Sequence, residues 1–90
     1  MVTTSYKKQE IYSVEAGDYI GQMFVVIDIA DDYVCCLTLP NMENISVPKD
    51  SFEQGRNTDI IRFIEKLPKD VFKISVAQYK ANENTNNRWK

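Results

Sequence analysis

Residues 22–39 read Q-M-F-V-V-I-D-I-A-D-D-Y-V-C-C-L-T-L, and they hold the densest apolar runs in the chain. Met23, Val25, Ile27 and Ile29 alternate with Phe24, Val26, Asp28 and Ala30, which is the two-residue period of a strand. After Asp31-Asp32, a turn pair, Tyr33, Cys35, Leu37 and Leu39 alternate with Val34, Cys36 and Thr38. The stretch therefore predicts two antiparallel strands. Both of their faces are largely apolar, so the hairpin belongs in the middle of a sheet and needs cover on each side.

Working outward, Pro40-Asn41 ends the second strand and residues 42–44 turn the chain. Residues 45–47, I-S-V, make a short third strand, stopped by Pro48, which has no N–H for a ladder. On the other side, residues 10–14, E-I-Y-S-V, suit a short strand or an extended arm, and Gly17 lies in a turn. Residues 49–54 predict one helical turn closed by Gly55. Asn57 or Thr58 then offers an N-cap with Asp59 in the first turn. Ile60, Ile61, Phe63, Ile64 and Leu67 follow at helical spacing, so a helix is expected over 59–66, laid on one face of the hairpin. Residues 70–82 fit both periods: Phe72, Ile74 and Val76 alternate as in a strand, while Pro68, Asp70, Lys80 and Asn82 are placed as helix signals. The helix is the favoured reading, with Lys73 and Lys80 on one narrow polar stripe.

These elements make one domain over 9–82, between a mobile polar N-terminus (1–8) and a polar tail (83–90) carrying Trp89. A chain of 90 residues buries only about 60–65% of its unfolded surface, so its stability margin is thin. If residues 70–82 and the N-terminal arm do not cover the second apolar face, another subunit must, and a small homo-oligomer is expected. No apolar run approaches the roughly 18 residues a bilayer span needs, and the first residues lack the apolar segment of a signal peptide, so the expected compartment is the cytoplasm. The adjacent Cys35 and Cys36 are expected as reduced thiols, since neighbours in a strand point to opposite faces.

There is no histidine, which removes the usual neutral-pH base and the commonest metal ligand. The chain is read as non-catalytic, with no cofactor. Asp28, Asp31 and Asp32 match no calcium-loop spacing, so no metal site is expected. Charge is unevenly spread. Between Gln9 and Pro48 there is no Lys or Arg but seven acids; from Lys49 onward nine basic residues face six acids. Two binding surfaces follow. Asp18, Asp28, Asp31, Asp32, Tyr33 and Glu43 form an acidic face for a partner protein with a basic surface. Lys49, Arg56, Asn57, Thr58 and Arg62 surround the expected helix entrance, whose free N–H groups and dipole suit a small anion such as a nucleotide. The acidity of the sheet argues against direct nucleic-acid binding.

The order A-G-D-Y-I-G-Q, two core strands, then I-S-V-P-K-D-S-F over residues 16–52 resembles small SH3-like or KOW-like barrels. The expected class is thus α+β: an antiparallel, SH3-like β-meander followed by one or two helices. In style the chain is also similar to small bacteriophage accessory proteins, being short, rich in Asn and Lys, and without a catalytic signature. That resemblance implies a viral protein in the host cytoplasm that binds and inhibits a host or defence factor. The alternative is an oligomeric protein that sequesters an anionic small molecule.

Overall fold

A computed structural model describes residues 6–82 and 86–88 of the chain. Its elements in chain order are β1 (Glu10–Val14), β2 (Met23–Ile29), β3 (Tyr33–Leu39), β4 (Asn44–Pro48), α1 (Lys49–Asn57), β5 (Ile61–Lys66), α2 (Lys69–Ala81) and β6 (Asn86–Arg88). All six strands form one sheet in the order β5-β1-β2-β3-β4-β6. β1 to β4 are an antiparallel meander, β5 returns antiparallel to β1, and β6 runs parallel to β4. The expected α+β class, a meander followed by helices, is what the chain adopts.

The two faces of the central hairpin carry separate cores. Phe24, Val26, Val34 and Cys36 join Tyr12, Val14, Ile45, Val47 and Ile61 on one face, where α1 inserts Phe52. Val25, Ile27 and Leu37 join Ile11 and Leu67 on the other, where α2 brings Phe72, Val76 and Tyr79. Two helices of one chain thus cover both faces. The second apolar face gives no reason for another subunit, because α2, the favoured helix, covers it.

The expected helix over 59–66 does not form. Residues 61–66 are strand β5, and the face assigned to that helix is covered by α1 instead. The reason lies in both local and tertiary terms. α1 runs on past Gly55 to Asn57, where Thr58 donates its hydroxyl to Gln54 O at 2.8 Å. Asp59 then takes φ 61, a left-handed turn that breaks the helical path. The next residues are β-branched and aromatic, and β1 offers them a free edge. A helix of eight residues has little stability of its own against such pairing. Gly55 is no helix stop. It lies inside α1 because a Cβ there would come within 2.7 Å of Ile61 Cδ1, so the glycine lets α1 close onto β5.

Two further expectations change. A register shift between Val26 and Asp28 marks a bulge at Ile27. Beyond it the alternation inverts: Ile29 packs with the α1-side core rather than with Val25, and Asp28 moves to the α2 side. At the termini, Tyr6 packs on the α1-side core, its ring lying 4.8 Å from that of Phe52, while Lys7 and Lys8 are exposed. Residues 86–88 belong to the sheet rather than to a tail. The readings of residues 1–5 and of Trp89 fall outside the described residues.

Candidate functional site

The α1 face is closed. Tyr12, Phe24, Val26, Val34 and Phe52 are all at most 1% exposed. The Tyr12 ring meets Phe52 and Phe63 edge-on at 5.2 and 5.6 Å. Its hydroxyl donates to Glu10 Oε1 at 2.7 Å. Burial first, then that carboxylate, hold the Tyr12 hydroxyl far above its ordinary value of 10.0, so it stays a neutral donor.

The α2 face is not closed. A cleft of about 540 Å³ opens between α2 and the sheet, a size in the range of small-molecule sites. Its apolar walls are Ile27 from the sheet with Phe72 and Val76 from the helix. Lys8, Asp28, Tyr79 and Lys80 bring polar groups to the same space. Sequence periodicity explains the helix side: Phe72, Val76 and Tyr79 fall at i, i+4 and i+7 and share one face. On a helical wheel Lys69, Lys73 and Lys80 fall within about 40° of one another, flanking Val76, and span about 16 Å of axis. All three are exposed. Of these three, Lys80 lines the cleft.

The sheet side is made by the bulge. It turns Asp28 toward Lys8, whose Nζ lies 3.2 Å from Asp28 Oδ1. The same oxygen accepts the Ile29 N–H at 2.9 Å. That backbone bond first, and Lys8 second, hold the Asp28 carboxyl below its ordinary value of 3.8. Side-chain exposures of 61% and 59% make this a solvated pair, worth at most about 1 kcal/mol, so Lys8 is free to exchange its partner. The Tyr79 hydroxyl is also raised well above 10.0, by burial first and then by a hydrogen bond with the Cys35 side chain. It is neutral at physiological pH, with its one proton committed to that bond.

Asn44 lines the cleft but serves the scaffold. It is fully buried, and its Nδ2 donates to Tyr79 O at 2.9 Å. Asn82 donates to Met42 O at 2.6 Å and to Asn44 Oδ1 at 3.3 Å. These bonds tie the C-terminal end of α2 to the β3–β4 turn. The other end of the helix follows Leu67, which is packed in the α2-side core.

The residues singled out from sequence are dispersed. Lys49 opens α1, whereas Arg56, Asn57 and Thr58 lie at its C-terminal end. There the dipole is negative and free groups are carbonyls, so the helix entrance expected to gather an anion is not at these residues. Arg56 instead pairs with Glu53 at 2.6 Å and stacks 5.7 Å over the Tyr6 ring. Arg62 is exposed on β5. The acidic residues divide into three groups. Asp31, Asp32 and Tyr33 line a second cleft, about 410 Å³, together with Lys49 and Asp50. Asp28 faces α2. Asp18 and Glu43 both act on the Tyr19 hydroxyl, which burial in the first place, then Glu43 and Asp18, raise above 10.0. Among the described residues no three His, Cys, Asp or Glu side chains converge on a metal position, and no helix is long and apolar enough to cross a membrane.

Sequence reasoning missed Lys8, Ile27, Phe72, Val76, Tyr79 and Lys80 as a group. The one legible signal was the lysine stripe beside Phe72, Val76 and Tyr79 on α2. Comparison with protein-family models, with curated proteins and with solved structures finds no match, so the functional reading rests on the chain's own geometry.

Proposed function

We propose that this chain is a non-catalytic binding protein that holds a flat, anionic small molecule in the cleft between α2 and the sheet. One observation carries the reading: a cleft of about 540 Å³ has apolar walls at Ile27, Phe72 and Val76 and lysines at positions 8 and 80. A ring system enters between Phe72 and the sheet, where it exchanges water for apolar contact. Its charged group meets Lys80, and Lys8 as that lysine leaves Asp28. The absence of histidine makes acid–base turnover at neutral pH the poorer reading. The ligand class, a nucleotide-like anion, is that of the alternative reading from sequence, and the site proposed for it lies in this cleft rather than around Lys49, Arg56, Asn57, Thr58 and Arg62.

Titration with 8-anilinonaphthalene-1-sulfonate, a planar aromatic sulfonate, alongside a thermal-shift panel of linear and cyclic nucleotides, tests this. A ligand at a hundred times its Kd adds about 2.7 kcal/mol to stability. For a domain of this size that is a rise of about 10–20 °C in Tm. Saturable binding of the sulfonate with one site per chain is expected, weakened tenfold or more by Lys80→Glu and by Phe72→Ala. Binding unchanged in Lys80→Glu, or no saturable binding of any probe, overturns the proposal.

A second reading keeps a partner protein, a basic host or defence factor, as the target. It is favoured by the grouping of Asp31, Asp32 and Asp50 around one cleft with the half-exposed Tyr33. Such a surface governs association rate and is screened by salt. A basic protein retained at low salt should be released by the double substitution Asp31→Lys, Asp32→Lys. Equal retention by that variant removes this reading.

A further inference from the structure

The two edges of the sheet are treated differently. β4 is covered by the chain's own β6, whereas β5 is the outer strand on its side of the described sheet. β5 carries large exposed apolar side chains, Phe63 at 56% and Ile64 at 43%. An edge of this kind is a template for another strand. We propose that β5 pairs antiparallel with β5 of a second copy of this chain, about a two-fold axis at Phe63.

The ladder decides which groups are available. Glu15 N donates to Ile60 O at 2.7 Å, so residues 15 and 60 are a bonded pair. Bonded and non-bonded pairs alternate along an antiparallel ladder. The pairs Val14↔Ile61 and Tyr12↔Phe63 are then non-bonded toward β1. The N–H and C=O groups of Ile61 and Phe63 therefore point away from the sheet, toward the open edge. Two copies placed about Phe63 exchange both of that residue's hydrogen bonds.

Side chains select the partner. Tyr12 pairs with Phe63 and Ile11 with Glu65, leaving Ile64 as the extra residue of a bulge. Arg62 lies opposite Ser13 and Glu65 opposite Ile11, and residues 11 and 13 share a face. The bulge thus puts Arg62 and Glu65 on one face, either side of Phe63. Without it the strand's period of two would set them on opposite faces. In the two-fold pairing each Arg62 meets the other copy's Glu65, giving two ion pairs, while the two Phe63 rings meet on the opposite face beside Tyr12. A register centred on Ile61 forms neither ion pair. The charge pattern is self-complementary, which is why the occupant is a second copy. A single strand pair buries less than a standard interface, so the dimer is concentration-dependent. The pairing uses neither cleft and stands apart from the function proposed above.

Light scattering over a concentration series tests it. The wild-type mass is expected to rise from 10.4 kDa toward twice that value. Arg62→Glu and Glu65→Arg each set like charges opposite one another, and each should remain at the chain mass throughout. The double variant R62E/E65R has wild-type composition and restores both pairs with the signs exchanged, so dimerisation should return. Far-UV circular dichroism reads whether each variant folds. Phe63→Lys is a further variant that should stay monomeric, because lysine on an edge strand opposes pairing. A wild type that stays monomeric at every concentration overturns the proposal. So does a folded double variant that fails to dimerise, or dimerisation undiminished in folded single variants.

Discussion

The two faces of the sheet are built from the same strands and finish differently. Under α1 the packing is complete: Phe52, Phe24 and Val34 are fully buried. Under α2 the rings of Phe72 and Tyr79 are only partly buried, and a cleft of about 540 Å³ remains. The difference comes from how each helix is held. α1 follows β4 directly and presses Gly55 onto Ile61, with no Cβ to hold it off. α2 follows Leu67 and is tied at its far end through Asn44 and Asn82. Between those two points the bulge at Ile27 brings Asp28, not an apolar side chain, to the α2 side. One face is closed by its helix, and the other keeps an open cleft above its buried core.

That contrast breaks most sharply under a buried charge. Val34→Asp places a carboxylate under α1 with no partner, a cost of several kcal/mol, comparable to the roughly 5–13 kcal/mol margin of a 90-residue domain. The variant is expected to be unfolded by circular dichroism. Ile74→Asp, at a position of α2 that is 67% exposed, should change stability by no more than about 0.5 kcal/mol. Truncating a ring on each face gives the next largest difference. Phe52→Ala should cost about 3–5 kcal/mol in urea unfolding. Phe72→Ala should cost about 1–2 kcal/mol, because its ring is already partly in water, and should cost more in probe binding than in stability. A reversed order of the two losses would mean that the open face carries the fold.

Smaller effects sharpen the same comparison. Gly55→Ala gains about 1 kcal/mol of helix propensity but forces a Cβ to 2.7–3.3 Å from three Ile61 side-chain atoms. Overpacking of that kind costs about 1–3 kcal/mol, so a net loss near 1 kcal/mol is expected. The smallest effect shows only in alkaline solution. Tyr12 and Tyr79 have folded-state values raised above 10.0, so folding favours their protonated forms. Their contribution is complete below about pH 10 and declines as pH rises above it, because the unfolded chain ionises first. Urea midpoints measured from about pH 8 to about pH 11 should fall, and should fall less in Tyr12→Phe and in Tyr79→Phe. An unaltered alkaline slope in both variants would show that neither ring is held as described.

Much of the fold was legible because it is local. The hairpin of residues 22–39 carries its period, its turn acids and its two apolar faces in the sequence. The α2 helix was favoured by Pro68, Asp70 and Lys80. Residues 61–66 were not legible, since Ile61, Phe63 and Ile64 satisfy a helical and a strand reading equally well. Their state was settled by pairing with β1, a partner some fifty positions away that no local window contains. The cleft was illegible for a related reason. Its polar corner depends on one extra residue at Ile27, and a bulge leaves no mark on composition or period. The five residues expected to hold an anion were chosen around a helix start that falls instead at Lys49.

By itself, then, the sequence determined what short-range physics controls: a double-faced apolar hairpin, a meander around it, a helix at α2, the lack of imidazole chemistry, and an acidic half set against a mildly basic one. Tertiary structure alone decided which helix covers which face, that residues 61–66 close the sheet as β5, and where Asp28 points. Those outcomes depend on register and on packing between distant residues. A one-residue shift in a strand exchanges every side chain between faces, and no local propensity registers it.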